Sequence, residues 1–257
     1  RVPTAHHEIA YILFTDFVGF SAISRYMSPG ELLRELSIYF EAFEEICERY
    51  SLEKVKTIGD SLLCVGGVRS SNRTTHIDSV LAAMEMLRFA QARKEKKQAW
   101  GMRAIVHNGP LVAGVVGHSK IAFDIWGHSV NVASRIEGVA GEGVVTISET
   151  MYQQVRDFFD CDFKGEYELK GTGKSDLYTV SGIREEFLPR SPDDSATIDG
   201  GEGHSAMFND RFRYLHEALQ LGHHVMRKRG RYHLLRQNGN ALPDPIRRPH
   251  REQKRLS

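Results

Sequence analysis

Apolar residues run without a break from Ile9 to Phe14, and the chain then turns polar at Thr15-Asp16. The run reads as a buried strand. An acid at its end, within "YILFTDFVGFSAISRYM", is costly unless a hydrogen-bond donor or a cation compensates its desolvation. Asp is also common where strands stop and turns begin, so a bland reading stands beside the chemical one. Ser28-Pro29-Gly30 opens a helix whose apolar face carries Leu32, Leu36, Tyr39, Phe40, Phe43 and Ile46, three and four residues apart. "LEKVKTIGDSLLCVGGV" gives two strands around Gly59-Asp60, a loop suited to a tight hairpin. A second helix is expected from His76 to about Arg93, with Val80, Ala83, Met84 and Leu87 on one side.

Two strands follow, "MRAIVHNG" and "PLVAGVVG", broken at Asn108-Gly109-Pro110. "GHSVNVASRIEG" predicts a helix with Val132 and Ile136 on its inner face. "GVVTIS" reads as a short strand and Glu149–Val155 as a short helix. "YELKG" and "DLYTVSGI" pair around Gly171-Thr172-Gly173. The order β-α-β-β-α-β-β-α mixes hairpin and crossover connections. It predicts an α/β fold of the α+β sandwich kind: a ferredoxin-like mixed or antiparallel sheet with helices packed on it.

Charge divides the chain. Residues 204–257 hold 12 Lys/Arg against 4 Asp/Glu, and the other 203 residues hold 22 against 29, so a net of +8 faces a net of −7. The expected organisation is a folded domain over residues 1–185, a linker over 186–205 and a basic tail over 206–257. In the tail, Asp210–Arg229 is expected to be helical and the Pro-rich remainder disordered. With 41% hydrophobic and 26% charged residues, the composition is that of a soluble globular protein. Cys47, Cys64 and Cys161 have neither zinc spacing nor a disulfide framework, which points to free thiols in a reducing compartment. No apolar run approaches the roughly 18 residues of a membrane span. Arg1 in place of Met is expected of an excerpt, with a sensor or membrane segment upstream. The expected location is cytoplasmic, as a free protein or as the cytoplasmic portion of a membrane-anchored one.

Candidate chemistry lies at polar residues in apolar surroundings. If the strand at 9–14 and the hairpin at 54–66 share a sheet, Asp16 and Asp60 can converge, and a divalent cation relieves the repulsion of two carboxylates. Two hard oxygen ligands that leave coordination open for phosphate describe a Mg²⁺ site; the alternative is two unrelated turn acids. Lys56 lies inside a strand between Val55 and Thr57, where its ammonium must reach water, an acid or a ligand. Asn131 and Arg135 are four apart, on one helix face, and Arg forks onto phosphate oxygens. Lys170 precedes "GTGKS", but Glu168 stands where a phosphate loop needs its first Gly, so that reading fails.

Together, "FTDFVGFS", "KVKTIGD", "HNGPLVAGVVG", "FDIWGHSVNVASR" and "LKGTGKSDLYTV" resemble the class III nucleotidyl cyclase catalytic domain, in family order from about Ala10 to Ile183. The resemblance implies that Asp16 and Asp60 bind metal, with the backbone carbonyl of Phe17 as a further ligand. It implies that Lys56 and Asp124 read the purine and that Asn131 and Arg135 hold the ribose and the reacting phosphate. Lys170 would meet the terminal phosphates, and two Mg²⁺ or Mn²⁺ would serve each site. Family guanylate cyclases usually carry a Glu and a Cys or similar small residue where this chain has Lys56 and Asp124. The pair therefore resembles the adenylate cyclase choice, with ATP as substrate and cyclic AMP and pyrophosphate as products. His128 departs from the Asn or Asp frequent after "FDIWG" and reads as tolerated variation.

In this family the two halves of one site come from different subunits, which implies a head-to-tail homodimer with two shared sites. Within the class, the nearest rival reading is a guanylate cyclase. Two readings from other classes also remain open at this level: a catalytically silent cyclase-like module that binds nucleotide or a partner, and a nucleic-acid or acidic-membrane contact made by the basic tail.

Overall fold

The apolar run at 9–14 lies in a fourteen-residue strand, β1 (Ala5–Val18), and it lacks alternation because both of its faces are covered. Ile12 and Phe14 pack with Ala133 and Ile136 of α4 (His128–Glu137). Phe17 points the other way, its ring centroid 4.8 Å from that of Tyr39 on α2 (Pro29–Arg49) and 5.3 Å from that of Trp100. A five-residue helix, α1 (Phe20–Ser24), links β1 to α2. The computed structural model describes residues 4–68, 74–97, 100–117, 121–188, 208, 210–220, 224–228 and 231–235.

Helix α2 begins where the Ser-Pro-Gly signal places it. Ser28 Oγ accepts from Glu31 N, and Glu31 Oε2 accepts from Ser28 N at 2.8 Å, a reciprocal cap with Pro29 at the first helical position. The hairpin of β2 (Glu53–Ile58) and β3 (Ser61–Gly66) turns at Gly59-Asp60, with Gly59 at φ +64°. Helix α3 (His76–Lys97) runs one turn past the expected end and leads into β4 (Gly101–Val116). These four strands stand in the order β2-β3-β1-β4, every neighbouring pair antiparallel, as a ferredoxin-like core requires.

The sheet then extends beyond β4. β6 (Val145–Ser148) lies parallel to β4, and β8 (Gly173–Ile183) and β7 (Phe159–Leu169) follow antiparallel. A short helix, α5 (Glu149–Val155), connects β6 to β7. β5 (Ala122–Trp126) pairs with the far end of β4, an element the hydrophobic pattern did not announce. β7 is also longer than expected, starting at Phe159 rather than Tyr167.

The break expected at Asn108-Gly109-Pro110 does not occur, because β4 passes straight through it. His7 pairs with Leu111 and Ala10 with Gly109, so β1 bulges at Glu8-Ile9 opposite Pro110. On the other edge β6 pairs only as far as Val106 and β5 starts only at Val112. No ladder needs the N–H that Pro110 lacks.

By contacts the chain divides into two units, residues 1–184 and 185–257. The linker expected over 186–205 lies outside the described residues from position 189 onward. In the second unit a 3-10 turn at Glu185–Phe187 precedes α6 (Asp210–Gln220), where Phe212 stacks 4.2 Å from Phe208 and meets Phe187 edge-on at 5.4 Å. The helix expected over 210–229 ends at Gln220. Within the remainder of that span the described residues form a strand, β9 (His224–Lys228), which pairs antiparallel with β10 (Arg231–Leu235); residues 221–223 and 229 lie outside the described residues. The β-branched Val225 favours a strand over a helix there. Among the described residues no helix is long and apolar enough to cross a membrane.

Candidate active site

Asp16 shares the face of β1 that carries Ile12 and Phe14, and it is only 9% exposed. Its cross-strand partner on β4 is Arg103, whose Nε and Nη2 donate to Asp16 Oδ2 at 2.9 and 2.8 Å. Ser61, at the start of β3, donates its hydroxyl to Asp16 Oδ1 at 2.7 Å. The acid at the end of the apolar run is thus held by a guanidinium and a hydroxyl. Arg103 Nε also lies 3.0 Å from Glu137 Oε1, at the last turn of α4.

Asp60 occupies the turn of the β2–β3 hairpin that Ser61 begins to leave. Burial raises its carboxyl pKa, the negative charge of Asp16 raises it further, and Arg103 pulls it back. Burial and then Asp16 raise Glu137 in the same way. Three carboxylates therefore share one guanidinium. Among the described residues no three His, Cys, Asp or Glu side chains form a metal cage. What Asp16 and Asp60 offer fits a hard divalent cation that takes its remaining ligands from backbone, water or phosphate. Phe17, next along β1, is fixed by its buried ring in the aromatic cluster with Tyr39, Phe43 and Trp100.

Lys56 on β2 and Asp124 on β5 meet: Nζ donates to Oδ2 at 2.7 Å, while Asp124 Oδ1 accepts from the amide of Ile125 at 2.8 Å. The aspartate is thereby oriented at both oxygens. The lysine remains partly open to solvent.

Helix α4 presents Asn131 and Arg135 on its outer face, exposed and without a side-chain hydrogen bond among the described residues. The helix is held against β4 at its first turn. Ser129 Oγ donates to Pro110 O at 2.8 Å, and a Cβ at Gly109 would come within 2.4 Å of that hydroxyl oxygen. "HNGP" is therefore a docking step for the helix. His107, also buried, has Nδ1 2.8 Å from Ser148 Oγ, and burial followed by the nearby His128 lowers its pKa to about 4. Lys170 is exposed in the β7–β8 turn, where Gly171 has φ +76°.

The structure joins Lys56 to Asp124 and sets Asp16 and Asp60 within electrostatic reach; among the described residues no hydrogen bond or ion pair joins Asn131, Arg135 or Lys170 to either pair. Sequence reasoning missed Arg103 and Glu137. Arg103 had the same signal as Asp16, a lone charge in an apolar run, "MRAIV". Glu137 had none, because an acid near a helix end is ordinary.

Residues 2–182 match the profile of the family described as adenylate and guanylate cyclase catalytic domain. An adenylate cyclase of Mycobacterium tuberculosis is 34% identical over 169 residues, 65% of this chain and 38% of that protein. Human guanylyl cyclase C is 31% identical over 223 residues, 81% of this chain and 20% of that protein. The chain thus spans well under half the length of either relative. Among solved structures, the guanylate cyclase domain of RhGC from Catenaria anguillulae in complex with GTP superposes with a TM-score of 0.66 at 27% identity, over 70% of this chain and all of that one. The fold, the ordered motifs and this match over residues 2–182 place the chain in the class III adenylate and guanylate cyclase catalytic-domain family.

Proposed function

We propose that this domain is an adenylate cyclase, a phosphorus–oxygen lyase that closes ATP to 3′,5′-cyclic AMP and releases pyrophosphate. The observation that carries the choice of ATP is the contact between Lys56 and Asp124 at 2.7 Å. Adenine offers an exocyclic amino donor, which Asp124 accepts, and a ring-nitrogen acceptor, to which Lys56 donates. Guanine would set its carbonyl against the Asp124 carboxylate and leave a buried acceptor unpaired, a mismatch that discriminates strongly.

The ribose 3′-OH gives up its proton to water, its oxygen attacks the α-phosphorus to form a new phosphorus–oxygen bond, and the bond to pyrophosphate breaks. Asn131 holds the ribose so that the attack is in line. Arg135 offsets the charge that builds around the α-phosphate, and Lys170 meets the terminal phosphates. Asp16 and Asp60, with the Phe17 carbonyl, would hold two Mg²⁺ or Mn²⁺, which supply neutralisation of the triphosphate and a lowered pKa at the 3′-OH.

The site is shared in a head-to-tail homodimer: one protomer supplies Asp16 and Asp60, the other Lys56, Asp124, Asn131 and Arg135. Exposed apolar side chains support a covered surface there. Ile58 and Trp126, two residues beyond Lys56 and Asp124, are 49% and 38% exposed. The unpartnered Asn131 and Arg135 fit groups that wait for a ligand.

A turnover assay on the purified chain tests the reading. ATP and GTP are offered with Mg²⁺ and with Mn²⁺, and the cyclic product is identified. Cyclic AMP formed in preference to cyclic GTP supports it. Preference for GTP makes the protein a guanylate cyclase, and nucleotide binding without product makes it a silent module.

A further inference from the structure

We propose that Lys54 is a positioning residue for base selection: it anchors a β-bulge at Val55 that turns Lys56 onto the face of the sheet that α4 covers. The inference rests on the reading of Lys56 and Asp124 as the base-reading pair and adds what aims the lysine.

Residues two apart in a regular strand share a face. Lys54 and Lys56 do not. Lys54 donates to Glu44 on α2, and its Nζ lies 5.8 Å from the centroid of the Phe40 ring on the same helix. Lys56 Nζ donates instead to Asp124 on β5 at 2.7 Å. Their partners on β3 divide in the same way. Lys54 pairs with Cys64, whose Sγ is 3.3 Å from that of Cys47 on α2. Lys56 pairs with Leu63, which belongs to the core cluster with Ala133 and Ile136 of α4 on the opposite face.

The ladder shows how this is achieved. From Lys54 to Lys56, β2 advances two residues while β3 advances one, so Val55 is the extra residue of a bulge. Without it Lys56 would stand opposite Leu62, on the face that α2 covers and away from Asp124. The same slip would bring Thr57 opposite Ser61 and lengthen the turn from Gly59-Asp60 to Ile58-Gly59-Asp60. The bulge therefore sets both the aim of Lys56 and the two-residue turn that carries Asp60. β2 is an edge strand, and β3 is its one ladder partner among the described residues. A second hold on the register comes from Lys54, which grips α2 through a carboxylate and an aromatic ring just before the bulge.

A general stabilising role for the Lys54–Glu44 pair is the competing account. Steady-state kinetics of the full chain with ATP and with GTP separate the two. Lys54→Met keeps an apolar stem and removes the ammonium. KM for ATP should rise about threefold with kcat unchanged, and the preference for ATP over GTP should narrow by a similar factor. Lys54→Arg keeps the charge and can stack on the ring, so it should behave as the wild type. Glu44→Gln, which breaks the same pair from α2, replaces Lys54→Met if that variant melts before the assay. In a Lys56→Ala background Lys54→Met should alter KM by less than about 1.5-fold, because its effect passes through Lys56. The proposal is overturned if Lys54→Met leaves KM for ATP and the preference unchanged, if Lys54→Arg is impaired as much as Lys54→Met, or if the rise in KM is as large without Lys56 as with it. If Lys56→Ala itself leaves the preference for ATP unchanged, the base-reading assignment fails, and the inference falls with it.

Discussion

Lys56 Nζ and Asp124 Oδ2 stand 2.7 Å apart although 68 positions separate them in the chain, because β5 folds back along β4 and reaches β2. Each group is the other's counter-ion. On the adenylate cyclase reading proposed above, a base that enters replaces the ammonium–carboxylate contact with one hydrogen bond to each partner, which suits adenine and not guanine.

The first prediction follows from that exchange. Asp124→Ala should lower kcat/KM for ATP by about a hundredfold or more, because a buried donor on the base loses its acceptor. Turnover of GTP should fall far less, so the ratio between the two substrates narrows. Steady-state kinetics with both nucleotides measure this. An equal loss for ATP and GTP would mean that the pair holds β2 to β5 and does not read the base.

The second prediction tests the shared site. Asp16→Ala chains and Arg135→Ala chains should each be inactive alone. Mixed in equal amounts, they should recover up to about a quarter of wild-type activity, since half of the dimers hold one intact site of two. Activity and subunit exchange are followed together in one titration. A mixture that exchanges subunits and stays inactive would place all the groups of a site in one chain.

How far these features were legible depends on whether their cause was local. Asp16 announced itself as an acid at the end of an apolar run, and the Ser28 cap and the Gly59 turn follow from their own neighbourhoods, whereas Lys56 in "EKVKTI" read by itself as a solvated strand lysine. The continuity of β4 was not legible, because the feature that admits Pro110 is a bulge at Glu8-Ile9, about a hundred residues away. β5 was hidden for a similar reason: "AFDIW" has no clean alternation, and its pairing with β4 makes it a strand. Glu137 matters only because Arg103 stands across from it, which no single window of sequence contains.

The third prediction separates stability from chemistry. Ser28→Ala removes the acceptor for Glu31 N and half of a reciprocal cap at the start of α2. The expected cost is about 1 kcal/mol, a fall in melting temperature of about 3 °C for a domain of this size. Neither kcat nor KM should change, because α2 carries none of the groups assigned to the nucleotide. A calorimetric scan beside a turnover assay checks both halves, and a change in KM would show that α2 reaches the site.

The fourth prediction concerns acid. His107 is buried and takes a proton only near pH 4 in the folded chain, against about 6.5 when unfolded. Between those values the unfolded state binds more protons, so stability falls as pH drops through 6.5 and the loss is complete below about 4. The contribution is about 2 kcal/mol at pH 5 by linkage. Protonation would place a charge beside Ser148 and near His128, where α4 docks on "HNGP", so the acid-sensitive point lies under the helix that bears Asn131 and Arg135. His107→Gln removes the titrating group while it keeps a polar side chain. Urea denaturation at pH 7.5 and pH 5 should show the wild type losing about 2 kcal/mol more than this variant over the interval. Equal losses would show that His107 is not the acid-sensitive group.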